Sequence, residues 1–264
     1  MNLNTILSVY AFAFGAVIAS FLNVVIWRLP RGESLVRPAS HCPKCGAKIK
    51  WYQNLPILSY LALGGRCAAC RAPISPRYPL LEALGGALFL AVFLRFGLSL
   101  TTLALWVWTA FAIAGSFIDF DHKLLPDFAT VGGMVLGLVY HGAVSLLTGS
   151  SFRILNSLAG LAFGFALLWL IRFFGSKAFR REAMGMGDVF LMGAIGALFG
   201  PVAVLFALIV SSVAGSVAGL TLVALAKTRF GRFAEIPFGP YLYLASFVWI
   251  FAGDGLVRWY LGAF

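Results

Sequence analysis

Residues 189–226 read VFLMGAIGALFGPVAVLFALIVSSVAGSVAGLTLVALA, 38 residues without a charged side chain. A helix needs about 20 apolar residues to span the hydrocarbon of a bilayer. The stretch is therefore too long for one crossing and long enough for two. Gly200-Pro201 divides it, because a proline after a glycine punctuates a helix. Its first half is short for a full span, so it is expected to begin earlier or to be covered partly by neighbouring helices. Working outward, the apolar stretches upstream are Ile154–Ile171, Phe128–Phe152, Phe96–Ile118, Tyr78–Leu94 and Thr5–Trp27, and downstream Ile236–Gly253 runs toward Asp254. The first of these in the chain lacks preceding basic residues and a small-x-small site, so it is expected to be a retained span and not a cleaved signal. Eight crossings follow, and the fold class is an all-α polytopic membrane protein.

Composition supports this. The 264 residues are 61% apolar and 11% charged, with a mean hydropathy of +0.94, where soluble domains average about 45–50% apolar and about 25% charged. Such a chain has too few polar residues to cover a soluble globule, and too much hydrophobicity for disorder. The net charge of +11 would suggest nucleic acid on a soluble chain. Here it reads as topology, and no nucleic-acid partner is expected. Seventeen of the twenty Lys and Arg fall in the segments 28–77, 119–127, 172–188 and 227–235 on one side of the eight crossings, leaving Arg95, Arg153 and Arg258 on the other. Basic loops stay in the cytoplasm, so both termini are expected on the far side. No internal repeat, coiled coil or low-complexity tract is evident. The organisation expected is a first transmembrane helix (1–28), a cytoplasmic four-cysteine loop (29–77) and a seven-helix membrane domain (78–264).

The first basic loop holds Cys42-Pro-Lys-Cys45 and Cys67-Ala-Ala-Cys70, with 21 residues between the pairs. Paired C-x-x-C knuckles are close to a zinc-ribbon pattern, since four thiolates surround Zn²⁺ tetrahedrally. Lys44, Lys48, Arg66 and Arg71 flank the knuckles and offset the charge of such a centre. Disulfides are disfavoured on the reducing side of the membrane. The expected metal is a structural zinc held by Cys42, Cys45, Cys67 and Cys70, with His41 a weaker competitor.

Carboxylates are scarce, nine in all, so their positions carry information. Asp119, Asp121 and Asp127 cluster at one end of the third crossing, and Asp188 closes Gly185-Met-Gly-Asp188 at the start of the sixth, on the same face. Ionisable groups at membrane depth are costly and mark functional sites. Two carboxyl groups in a poorly hydrated cleft share one proton, an arrangement suited to peptide hydrolysis. Asp119 and Asp188 are the candidate pair. Gly185 and Gly187 are expected to let backbone approach closely and to permit strained angles beside Asp188. An aspartate at a helix N-terminus is also a common cap, the role expected of Asp127, and Asp121 with Lys123 suits a solvated pair. A proton-coupled transporter could use the same groups, and a membrane-tethered zinc-ribbon adaptor is the rival that needs neither aspartate. Met184, Met186 and Met192 read as packing, His141 as a packed, hydrogen-bonded residue, and Glu182 and Glu235 as solvated. Small residues such as Gly85, Gly86 and Gly196 suit close helix contact in lipid.

The chain resembles the type IV prepilin peptidases, bacterial intramembrane aspartyl proteases. The resemblance rests on Ser20-Phe-Leu-Asn-Val-Val-Ile-Trp-Arg-Leu-Pro30, the four-cysteine loop with Pro56-Ile-Leu-Ser59, and Ala72-Pro-Ile-Ser-Pro-Arg-Tyr-Pro-Leu-Leu-Glu82. It continues with Asp119-x7-Asp127 and its Leu-Pro-Asp ending, Gly185-Met-Gly-Asp188 and Pro237-Phe-Gly-Pro240. Ala19 stands where many relatives have glycine. The resemblance implies that Asp119 and Asp188 are catalytic. It implies cleavage of the basic leader of prepilins and pseudopilins after a glycine on the cytoplasmic side of the inner membrane. It also implies methylation of the new N-terminal residue by S-adenosylmethionine, as is typical of members with the cysteine loop; a peptidase without transferase activity is the nearer alternative. The donor's site is not assigned by the sequence, although Glu82, Asn23 and Arg77 lie in the implied region. Oligomeric state and the identity of the prepilin are left open.

Overall fold

The computed structural model describes residues 2–225 and 237–262. The expected basic segment 227–235, with Glu235 and the ends at Ala226 and Ile236, lies outside the described residues. Ten helices are described: α1 Leu3–Arg28, α2 Leu58–Ala62, α3 Arg77–Phe96, α4 Leu100–His122, α5 Asp127–Thr148, α6 Phe152–Phe179, α7 Met186–Phe199, α8 Pro201–Leu225, α9 Gly239–Val248 and α10 Asp254–Gly262. No strand occurs among the described residues. Six helical segments are long and apolar enough to cross a membrane: Leu3–Arg31, Arg77–Phe96, Leu100–His122, Asp127–Thr148, Phe152–Phe179 and Pro201–Thr221. Two shorter apolar helical segments, Met186–Phe199 and Gly239–Gly253, join them. The eight apolar stretches of the sequence are thus helices, with shifted ends. Gly97, at φ 62°, ends α3 and moves the third start to Leu100. The α6 helix runs eight residues past Ile171, so Arg172 and Lys177 are helical and not in a loop.

The chain divides into two compact units, residues 1–114 and 115–264. In the first, α1 packs along α3 with almost no side chain between them: a Cβ on Gly15 would stand 2.6 Å from the Gly85 carbonyl oxygen. Close approach of this kind replaces the hydrophobic drive that lipid cannot supply. Trp106 of α4 stacks on Phe89 of α3 with ring centroids 5.3 Å apart and donates its indole N–H to the Phe89 carbonyl.

In the second unit α7 is the central helix. At 14 residues it is about 21 Å long, short of the hydrocarbon thickness. Nearly every residue from Asp188 to Leu198 is buried, so its flanks meet protein and not lipid. Glycines set the spacing again: a Cβ on Gly164 would stand 2.5 Å from the Met192 carbonyl, and one on Gly137 would stand 2.6 Å from the Ala197 carbonyl carbon.

The break at Gly200-Pro201 releases backbone acceptors, because Pro201 has no N–H to give to Ala197. The Ser157 hydroxyl of α6 donates to the Ala197 carbonyl at 2.6 Å, and His141 Nε2 of α5 donates to the Leu198 carbonyl at 3.0 Å. His141 therefore has the packed, hydrogen-bonded role expected of it, with a specific acceptor. Buried carbonyls are seldom left unpaired, and here two neighbouring helices supply the missing donors.

Candidate active site and metal centre

Asp119 lies in the last turn of α4 and is 5% exposed. Asp121 and Asp127 are exposed. A helix turns 100° per residue, so Asp121 points away from the face that buries Asp119. Asp127 does not cap α5: Pro126 holds the N-cap position, without a side-chain hydrogen bond, and Asp127 is the first helical residue. Its charge suits the dipole there, but the expected cap is not formed.

Asp188 is the third residue of α7, 9% exposed, with Gly185 at the N-cap. Its carboxylate faces back over Gly185, with Oδ2 3.6 Å from where a Gly185 Cβ would be. A third-position carboxylate reaching back to the N-cap is half of a capping box. The Asp119 carboxylate is near enough to act electrostatically on Asp188. Tyr243 of α9 is 1% exposed. A Gly115 Cβ would stand 2.7 Å from its hydroxyl.

Two residues absent from the expected site hold it together. The Gly239 N–H donates to Asp119 Oδ2 at 3.1 Å across 120 residues of sequence. The Leu125 side chain wedges between two glycines: a Cβ would stand 2.8 Å from Leu125 Cβ if added at Gly187, and 2.9 Å from Leu125 Cδ2 if added at Gly239. Gly187 thus permits close approach, as expected, but neither Gly185 nor Gly187 adopts positive φ, so the expected strained angles are absent. Gly185 has room for a methyl group, with nothing nearer than 3.6 Å. The Pro237-Phe-Gly-Pro240 motif was the only sequence signal for Gly239, and Tyr243 had none. The loop before Asp188 is tied by Arg172, whose Nε–H donates to the Met184 carbonyl at 3.0 Å while Nη2 pairs with Glu182 at 3.1 Å. Glu182 is 81% exposed, so it is solvated as expected, yet ion-paired.

In the first unit the four cysteine Sγ atoms all lie within 4.8 Å of one another, and Cys42 and Cys70 are 3.9 Å apart. A tetrahedral centre with metal–sulfur bonds near 2.3 Å has sulfurs about 3.8 Å apart. The set fits one metal ion. The two knuckles are a repeat that sequence reading missed. The Cys42 N–H donates to Ala47 O and the Gly46 N–H to Cys42 O; 25 residues on, the Cys67 N–H donates to Ala72 O and the Arg71 N–H to Cys67 O. Gly46 and Arg71 hold the same left-handed position, φ 70° and 58°. Only C-x-x-C-x-A-x-I is common to the two stretches, too little to register as a repeat. Backbone N–H groups of Cys70 and Ala69 hold the Cys67 thiol down at about 6, and those of Cys45 and Lys44 lower Cys42. Although the Ala47 N–H opposes it, the sulfur of Cys70 pushes Cys45 up to about 11. Four crowded thiols do not all ionise without a cation, and a divalent metal supplies it.

Glu82 of α3 is buried and accepts the Ile57 N–H at 2.7 Å. Ile57 has φ 63° and ψ −50°, and the Leu58 N–H bonds Pro56 O at 2.6 Å. This is a strained γ-turn on a β-branched residue, clasped by a buried carboxylate. Asn23 bonds the Ala19 and Tyr78 carbonyls through its amide.

The class this architecture defines is a polytopic helical membrane protein with two buried aspartates in one unit and a four-thiol cluster that fits a metal ion in the other. Residues 13–96 match the bacterial peptidase A24 N-terminal domain, and residues 106–220 match the type IV leader peptidase family. A prepilin leader peptidase/N-methyltransferase of Myxococcus xanthus is 40% identical over 256 residues, 96% of this chain and 74% of the relative. Proteins of the same name from Aeromonas hydrophila and Pseudomonas aeruginosa are 36% and 34% identical, covering 96% and 94% of this chain and 93% and 91% of theirs. No solved structure matches the chain. The chain belongs to the type IV leader peptidase family. It is therefore a peptidase, and the transporter and adaptor readings of its carboxylates and cysteines fall away.

Proposed function

We propose that the chain removes the basic leader of prepilins and pseudopilins after a glycine, on the cytoplasmic side of the inner membrane, with Asp119 and Asp188 as the catalytic pair. The observation that carries this is that two buried aspartates are tied through one side chain: Leu125 packs on Gly187, next to Asp188, and on Gly239, whose N–H holds Asp119. One carboxyl, ionised, takes a proton from water as it attacks the scissile carbonyl. The other, protonated, polarises that carbonyl and then protonates the leaving amine. The Gly239 N–H and the Leu125 wedge fix Asp119 against Asp188. Arg172 positions the loop that begins α7. The bias of basic residues to one side supports a cytoplasmic site and periplasmic termini.

The second half of the proposal is N-methylation of the new N-terminus, which rests on the relatives' names. S-adenosylmethionine supplies the methyl group in such chemistry. In a cavity of about 450 Å³ beside α1, Arg28 suits the donor's carboxylate, but no acidic residue of the lining meets its sulfonium and ammonium. The four cysteines hold a zinc ion in a closed, structural site, and the first helix, the cysteine loop and the remaining helices act as three functional parts.

The test uses purified protein, a prepilin with its leader, and S-adenosylmethionine, followed by mass spectrometry. Leader loss by wild type and by neither Asp119→Asn nor Asp188→Asn is expected, with a methyl group on the product. A folded Asp119→Asn protein that cuts at the wild-type rate would overturn the pair. Cleavage without methylation would leave the peptidase and remove the transferase.

A further inference from the structure

The cavity beside α1 has one charged group in its lining, and among the described residues that group has no acidic partner. Arg28 is 8% exposed. It donates from Nη1 to the Ser34 carbonyl at 2.9 Å and from Nη2 to the Pro38 carbonyl at 2.8 Å. A guanidinium has five N–H donors, so three are not spent on these carbonyls. Among the described residues no carboxylate stands within ion-pair distance of it. A buried charge with no counter-charge is costly, and the arrangement calls for an anion.

The rest of the lining says what the anion is attached to. Val17, Phe21, Val24 and Arg28 all line the cavity from α1, at steps of four, three and four that put them on one helix face. From Val17 to Arg28 the helix rises about 16 Å, close to half the hydrocarbon thickness of a bilayer. Val17 and Phe21 are about half exposed. Leu35 and Leu55 also line the cavity, with Ser40 and Asn54 as polar groups in the same lining as Arg28. Apart from Ser20, the α1 side of the groove is apolar for the depth of one leaflet, and it is cationic at the helix end, where segment 28–77 carries nine basic residues against Glu33. An amphiphile with an acyl tail and an anionic head matches both halves.

We propose that this groove is a binding site for one anionic phospholipid, with its phosphate on Arg28 and an acyl chain along the Val17–Val24 face. The loop 34–40 closes over the head, since Arg28 already holds it through Ser34 and Pro38. The site couples the lipid to the conformation of the metal-binding loop. It lies wholly within the first unit and does not depend on the aspartate pair.

The experiment is native mass spectrometry of the purified full chain titrated with phosphatidylglycerol. Val24→Trp fills the apolar half and keeps every Arg28 bond. Arg28→Gln removes the charge. The expected result is one phosphatidylglycerol per wild-type chain, with affinity about tenfold lower in each variant, the scale of losing one charge-assisted contact or the tail's berth. Phosphatidylcholine and diacylglycerol of the same chains are expected to bind more weakly than phosphatidylglycerol, and glycerol phosphate alone is expected not to compete. Metal content and leader cleavage in Val24→Trp report that the protein is folded. Equal lipid retention by wild type and folded Val24→Trp would overturn the proposal. So would equal binding of phosphatidylcholine, or competition by glycerol phosphate, which would make the site one for a free anion. Displacement of the lipid by an apolar transmembrane peptide, equally in wild type and Arg28→Gln, would also overturn it and make the groove a helix dock.

Discussion

Adding one methyl group at Gly239 should cripple leader cleavage without unfolding the protein. The new Cβ would stand 2.8 Å from Asp119 Oδ2 and 2.9 and 3.0 Å from the Leu125 methyl carbons. Ordinary contact begins at 3.4 Å, so the carboxylate must retreat by about 0.6 Å, and because a displacement near 1 Å costs on the order of 10²-fold in rate, roughly a tenfold fall in kcat is expected. The Gly239 N–H is kept in Gly239→Ala, so the effect is one of position. Gly187→Ala provides the intermediate case, because its Cβ meets Leu125 Cβ at 2.8 Å and displaces the wedge but not the carboxylate. Gly185→Ala meets nothing nearer than 3.6 Å and sits at φ −66°, so its rate should stay within about twofold of wild type, an exposed or roomy substitution having little effect. The assay is kcat and KM on a purified prepilin, with melting temperature and metal content as controls for folding. The predicted order of loss is Gly239, then Gly187, then Gly185. A Gly185→Ala enzyme as damaged as Gly239→Ala would refute the packing argument, as would a folded Gly239→Ala enzyme at the wild-type rate.

Treatment with a chelator, or replacing Cys45 by Ser, should release the loop: metal analysis should fall below one ion per chain and proteolysis between residues 41 and 75 should accelerate, because lost thiolate ligation removes folding free energy directly. Arg172→Ala should slow cleavage more than Glu182→Ala, because it loses the Met184 carbonyl as well as an exposed ion pair that by itself contributes about 0–1 kcal/mol; the two rates measured side by side decide it. Ser157→Ala leaves the Ala197 carbonyl without its donor and should destabilise by about 1–3 kcal/mol, read as a lowered melting temperature in detergent, with a similar loss for His141→Phe. Glu82→Ala frees the Ile57 N–H and should open the turn at 56–58, visible as faster amide exchange there with metal content unchanged.

Much of the architecture was legible from local composition. A stretch such as 189–226 has no aqueous alternative, and its one Gly-Pro pair is the only place it can break. The cysteines were legible because four thiols at knuckle spacing have few other uses. The ends of helices were less so. Residues 172–179 carry two basic side chains and read as loop, yet α6 continues because long basic side chains reach outward from a helix without ending it. The choice of Asp119 over Asp121 was made in the sequence, but its physical reason was not visible there, since both carry the same group within one turn. Their difference is rotational: one faces the packed interior of its unit and the other faces away.

The sequence by itself determined what depends on composition along the chain: the membrane-length helices, the clustering of basic residues in a few segments, the two cysteine pairs and the short roster of carboxylates. Tertiary structure alone decided what depends on distance through space. It brought Gly239 to Asp119 across 120 residues, set Leu125 between two glycines, gave the 14-residue α7 a coat of protein on nearly every side, and left Arg28 buried with carbonyls as its partners. Periodicity and residue type report which groups are costly to expose. Which neighbour meets each cost is a property of the packed fold.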